Sequence, residues 1–177
     1  MIETYKTFET DRLLIRPMKI GDAEFFLELV NSPNWLKYIG DRKVYSVTNA
    51  EEYIKARILP QLALLGFGNN VVIRKADGIK VGTCGLYDRE GLKGIDIGYA
   101  MLPQYYGTGY AIESVNRLKL AAFNDFQISQ INAITLPENR ASKNLLLKLG
   151  FTFRKMVTVP TDDAELMLFS LKNKNQS

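Results

Sequence analysis

The chain contains no histidine and a single cysteine, Cys84. Without histidine there can be no Ser-His-Asp triad and no Cys-His dyad, and the commonest metal ligand is missing. One thiol supplies neither an internal disulfide nor a cysteine-based zinc site, so no metal is expected. Long apolar runs are absent too. The first twenty residues are dotted with charges, do not read as a signal peptide, and no later run approaches the roughly 20 apolar residues of a membrane helix. A cytoplasmic protein without a membrane partner is the expectation. No basic run interleaved with aromatics marks a nucleic-acid surface. Repeats, low-complexity segments and linkers are missing as well. Acid–base chemistry is left to carboxylates, Tyr, Lys, Ser, Cys or water.

The 177 residues are 46% hydrophobic, enough to bury a core in one domain spanning 1–177. The net charge of +4 suits an anionic ligand or an acidic peptide, and ordinary proteins carry as much. Residues 12–16 (RLLIR) read as a strand. Phe25, Phe26, Leu29 and Val30 follow at helical spacing until Ser32-Pro33-Asn34 breaks the pattern. Thr48, with Glu51 three residues on, has the form of a capping box opening a second helix, which Pro60 kinks and Gly66 ends. Strands are expected at 71–75, 80–87 and 95–101, joined by short turns as an antiparallel meander. A helix at 109–126, a strand at 130–136 and a helix at 139–149 come next. A hairpin over 151–159 and 164–171 closes the chain, and the polar tail at 172–177 frays. The strand–helix–strand unit in the middle predicts one parallel crossover in a mixed sheet.

The most informative segment is DIGYAMLPQYYGTGYA, residues 96–111, where a strand runs through a glycine-rich turn into a long helix. The first amides of a helix have no internal partner, and the helix dipole is positive there. Gly107 and Gly109 let a ligand approach the backbone, which makes a phosphate site. A P-loop would need Lys-Ser/Thr after Gly109, where Tyr110-Ala111 stand. A dinucleotide fingerprint would need a glycine-like residue at Ile112. An ordinary tight turn remains an equal reading of Gly-Thr-Gly alone.

Together with TDRLLIRPM, GTCGLYD and PENRASKNLLLKLGF, this segment resembles the GNAT acetyltransferases, in particular their RimJ/RimL-like branch, over nearly the whole chain. The resemblance implies an α/β (α+β) fold: a mixed, mostly antiparallel sheet with splayed central parallel strands, flanked by helices. It also implies acetyl-CoA as co-substrate. Tyr106, Gly107, Thr108, Gly109, Tyr110 and Ala111 would hold the pyrophosphate, with Tyr106 where most relatives have Arg or Gln. Backbone at Tyr99, Ala100 and Met101 would meet the pantetheine arm where the strands splay near Tyr99 and Ala133. Asn139 would bond the same arm, or would cap the last helix. Arg140 and Lys143 would reach the nucleotide phosphate, or are simply solvated. Gly98 suggests a bulge or a close approach.

The implied reaction is direct attack of an amine on the thioester in a ternary complex. Asp96 is the candidate base, acting through a water; a solvent-facing strand carboxylate is the plain alternative. The helix tyrosine many relatives use as acid is replaced by Leu146, which leaves Ser142 as candidate acid and Tyr99 and Tyr110 in reserve. Cys84 reads as core packing. The acceptor, a small-molecule amine or a protein N-terminus, is expected against Trp35, Tyr38, Phe67 and residues 34–45. The missing tyrosine keeps a non-catalytic acyl-CoA-binding regulatory module as an alternative, and a basic interaction protein is a third reading. Monomer and homodimer are both compatible with the sequence.

Overall fold

A computed structural model describes residues 5–174; residues 175–177 of the polar tail lie outside them. Eight strands form one sheet in the order β1-β2-β3-β4-β5-β6-β8-β7. They are β1 (Phe8–Glu9), β2 (Leu13–Pro17), β3 (Asn69–Arg74), β4 (Lys80–Asp88), β5 (Ile95–Met101), β6 (Gln130–Thr135), β7 (Thr152–Val159) and β8 (Asp162–Lys172). Every pairing is antiparallel except β5 with β6. The helix α5 (Tyr110–Asn124) makes the crossover between these two. α1 (Ala23–Val30), α2 (Pro33–Tyr38), α3 (Val47–Tyr53) and α4 (Leu59–Leu65) lie between β2 and β3, and α6 (Arg140–Lys148) lies between β6 and β7.

Strand alternation gives each face of the sheet its own core. On one face, Leu13, Ile15, Val72, Leu86, Ile97 and Ile131 pack with Val115, Leu118 and Ala122 of α5 and Leu145 of α6. On the other, Val71 and Met18 pack with Phe26, Leu29, Ala50 and Ile54 from the helices between β2 and β3. The turn leading into that helical layer is fixed by Asp22, only 2% exposed. Its carboxylate takes both guanidinium nitrogens of Arg16 at 2.8 Å, the Lys19 N–H at 2.8 Å and Lys80 Nζ at 2.7 Å. Burial pushes this carboxyl up, but the bonds from Arg16, Lys80 and Lys19 outweigh burial and hold it well below the usual carboxylate range.

The differences from the sequence reading have local causes. Ser32-Pro33-Asn34 does end α1, but Pro33 also starts α2 as its first residue, a position that needs no N–H. The cap of α3 is Ser46, not Thr48: Ser46 Oγ accepts from Asn49 N–H at 3.1 Å, and Asn49 Oδ1 accepts from Tyr45 N–H at 3.4 Å. Ahead of Pro60 the helix widens into a π turn over Ile54–Ile58, as the proline lacks the N–H to continue the α ladder. The two-residue strand β1 was too short to show a period.

Candidate active site

The loop before α5 exposes a row of backbone donors. Gly107 and Gly109 take φ of +74° and +83°, and a Cβ on Gly107 would meet nothing within 4 Å. Thr108 Oγ1 donates to Tyr105 O at 2.7 Å and is approached by Tyr110 N–H at 3.5 Å. Glu113 N–H closes the first helical turn on Gly109 O at 3.1 Å. The N–H groups of Gly107, Thr108, Gly109, Ala111 and Ile112 have no hydrogen-bond partner among the described residues. Unpaired amides at a dipole's positive end are what an anion needs. Tyr106 is 44% exposed. Burial raises its hydroxyl, and a bond with Asn34 of α2 partly offsets the rise.

The sheet opens beside this loop. β5 and β6 are in register only at Ile95↔Ile131 and Asp96↔Asn132, so the two strands part before Tyr99 and Ala133. Leu102 N–H bonds to Val81 O on the β4 side at 2.9 Å. Alternation therefore turns the backbone groups of Ala100 toward β4 and those of Tyr99 and Met101 toward the gap. β4 and β5 stay in continuous register through Gly98, so no bulge forms. A close approach is the reason for this glycine: the Tyr87 ring crosses it, 3.3 Å from where a Cβ would stand.

A cleft of about 1050 Å³ joins the gap to the loop, a size suited to a large organic ligand. Asp96, Tyr99, Ala100, Met101, Tyr106, Gly107, Gly109, Ala111, Asn139 and Ser142 all line it, whereas Thr108 and Tyr110 do not. Asn139 caps α6, its Oδ1 accepting from Ser142 N–H at 3.1 Å, which leaves Nδ2 as a donor. Arg140 lines the cleft; Lys143 does not. Leu146 forms part of the wall and is 3% exposed.

Asp96 and Tyr99 reach opposite faces of β5. Asp96 is 1% exposed and faces Arg89, with Nη2–Oδ2 and Nε–Oδ1 both at 3.2 Å. Burial raises its pKa, and the charge and hydrogen bonds of Arg89 only partly reverse the rise. The solvent-facing alternative does not apply. Arg89 had no signal in the sequence, because its pairing arises through the β4–β5 turn. On the other face, burial pushes the Tyr99 phenol up to about 12, with the Ser142 side chain as the opposing hydrogen-bond partner. Tyr110 lies under Arg12, whose Cζ is 4.6 Å from the ring centroid. Cys84 is buried beside Ser114 and burial pushes it up to about 12, so it packs as expected and stays a thiol.

The helical layer forms the other wall. Trp35, Tyr38, Asp41, Arg42 and Lys43 line it, and Phe67 does not. Phe67 packs in the core on the other face, 5.0 Å from Phe126. Among the described residues, no group of three or more His, Cys, Asp or Glu could hold a metal, and no helix is long and apolar enough to cross a membrane.

Residues 12–152 match the family described as the acetyltransferase (GNAT) domain. The chain belongs to the GNAT acetyltransferase family. A relative from Bacillus licheniformis, named as the uncharacterized N-acetyltransferase p20, is 30% identical over 150 residues, covering 82% of each chain. Among solved GNAT-like structures, an acetyltransferase from Agrobacterium tumefaciens superposes with a TM-score of 0.82 at 20% identity, covering 98% of each chain. A ribosomal-protein-S5-alanine acetyltransferase from Vibrio fischeri superposes with a TM-score of 0.74 at 19% identity, covering 97% of this chain and 99% of its own. The family and the fold are thereby shown, and the protein is an acetyltransferase. The open mixed sheet with its one parallel pair is the GNAT fold expected from the sequence.

Proposed function

We propose that this GNAT protein uses acetyl-CoA to acetylate a primary amine, on a protein N-terminus or a small molecule, by direct attack in a ternary complex. One observation carries the reading: the unpartnered amides of Gly107, Gly109 and Ala111 border the same cleft as the parted edges of β5 and β6. The amides fit a pyrophosphate, and the free edge of β5 fits a pantetheine arm with its own amide groups. Acetyl-CoA would supply the activated thioester. Asn139 Nδ2 would orient the arm, and Tyr99 or Met101 N–H would steady the carbonyl oxygen as charge develops.

The opposed faces of β5 divide the proton transfers. Asp96, on the side of the helical layer, would take the amine proton through a water. Its raised pKa makes it a better base than an ordinary carboxylate, and Arg89 fixes its direction. Tyr99 and Ser142, on the side of α6, would return a proton to the departing sulfur. An α-amino group loses its proton near pH ~7.7–8.0 and a lysine near ~10.4, so a peptide N-terminus needs less help. The motifs TDRLLIRPM and Tyr106 favour the RimJ/RimL branch.

The test is thiol release from acetyl-CoA across a panel of N-terminal peptides, polyamines and amino-sugar amines. Amine-dependent release that falls about 100-fold in Asp96→Asn supports the reading. Acetyl-CoA binding with no release for any amine would mean the non-catalytic module instead.

A further inference from the structure

Arg12 stands just before β2, 96 residues ahead of Thr108, yet it touches the loop from behind. Its Nη1 donates to Thr108 O at 3.1 Å, and its guanidinium lies over the Tyr110 ring. A Cβ on Gly109 would come within 3.2 Å of Nη2, whereas Gly107 faces open space. The loop thus has an arginine at its back and the cleft at its front. A peptide unit carries its C=O and N–H in opposite directions. Holding the Thr108 carbonyl toward Arg12 therefore turns the following Gly109 N–H away from Arg12.

Arg12 also silences a charge. Glu113, in the first turn of α5, would oppose an anion arriving at the helix start. Its carboxylate is consumed by Arg12 Nε at 2.7 Å, Arg12 Nη2 at 2.6 Å, Arg12 N–H at 3.2 Å and Thr10 Oγ1 at 2.6 Å. Burial pushes Glu113 up, and the Thr10 and Arg12 bonds outweigh burial and bring it below the usual range.

We infer that Arg12 is a positioning residue of the acetyl-CoA site: it aims the Thr108–Gly109 peptide and neutralises Glu113, without touching the ligand. The inference rests on the proposed acetyl-CoA site. The guanidinium is half-exposed, so its loss leaves the fold standing. Calorimetric titration of acetyl-CoA into the parent, Arg12→Ala, Arg12→Lys and Arg12→Ala/Glu113→Gln tests it, beside steady-state kinetics on any accepted amine. Arg12→Ala should weaken acetyl-CoA binding about tenfold, a loss in the range of one or two charge-assisted bonds, with kcat nearly unchanged. The double variant should recover the electrostatic share, and Arg12→Lys should fall between parent and Arg12→Ala. Unchanged affinity in Arg12→Ala, or a kcat loss without an affinity loss, overturns the inference. A parent that binds no acetyl-CoA overturns the site itself, and the inference with it.

Discussion

At the scale of single residues, position on the sheet decides more than residue type. Asp96 is a base candidate because β5 buries it at the mouth of the strand gap, and burial exceeds the relief from Arg89. The acid limb of kcat/KM should therefore lie above the ordinary carboxylate range, near ~3.9 for Asp. A pH–rate profile checks this: Asp96→Asn should lose the limb, and a limb that persists in the variant removes Asp96 from the role. Under the proposed function Asn139 serves through two atoms, capping α6 with Oδ1 and donating to the pantetheine arm with Nδ2. Asn139→Asp keeps the capping oxygen and loses the Nδ2 donor, so its melting temperature should hold while affinity for acetyl-CoA falls. Asn139→Ala should lose both, with about 1 kcal/mol of stability gone with the cap. The Gly-Thr-Gly turn ahead of a long helix was legible from glycine placement, and the GNAT resemblance pointed to Asn139 and Asp96, which line the same cleft as Gly107 and Gly109. Arg12 and Arg89 were not. An arginine acquires its role from a distant partner, and nothing local marks it.

At the scale of elements, β3, β4, β5, α5 and β6 were legible to within two residues, because strand-like runs bounded by short turns mark β3, β4 and β5, helical spacing marks α5 and sequence alternation marks β6. The exceptions are places where capping or backbone chemistry overrides the pattern. Ser46 displaced Thr48 as the cap of α3 because Asn49 answers it. Phe67 was expected in the acceptor wall as an aromatic, but β3 begins just after it and delivers it to the opposite core. The Asp22 cluster shows how an element junction is held. In the unfolded chain Asp22 takes its proton near ~3.9, while in the folded chain Arg16, Lys80 and Lys19 keep it ionised to lower pH. Stability from this group is present above that unfolded value and is lost as pH falls through the folded one. Asp22→Asn should flatten the acid limb of a stability–pH curve. Asp22→Ala should cost about 3 kcal/mol by leaving the partly buried charges of Arg16 and Lys80 without their carboxylate, read by urea unfolding at neutral pH. A loss confined to surface magnitudes, below about 1 kcal/mol, would show the cluster to be incidental.

At the scale of the molecule, one sheet serves two cores and lets its strands part between them. The helical layer and α5 bind opposite faces, and one cleft joins the gap between β5 and β6, the loop's amides and the wall formed by Trp35 and Tyr38. That arrangement fits the proposed ternary complex, with acetyl-CoA at the loop and the amine against the helical layer. The most direct test of the account is the melting temperature with and without acetyl-CoA, in the parent and in Gly107→Asp. The substitution puts a carboxylate into open space at the front of the loop, where aspartate tolerates a positive φ better than most residues. A ligand at ~100 times its Kd stabilises a folded protein by roughly 2.7 kcal/mol, which is a rise of about 5–10 °C for a domain of this size. The account predicts that rise in the parent and its loss in Gly107→Asp; a folded parent whose melting temperature ignores saturating acetyl-CoA would contradict it.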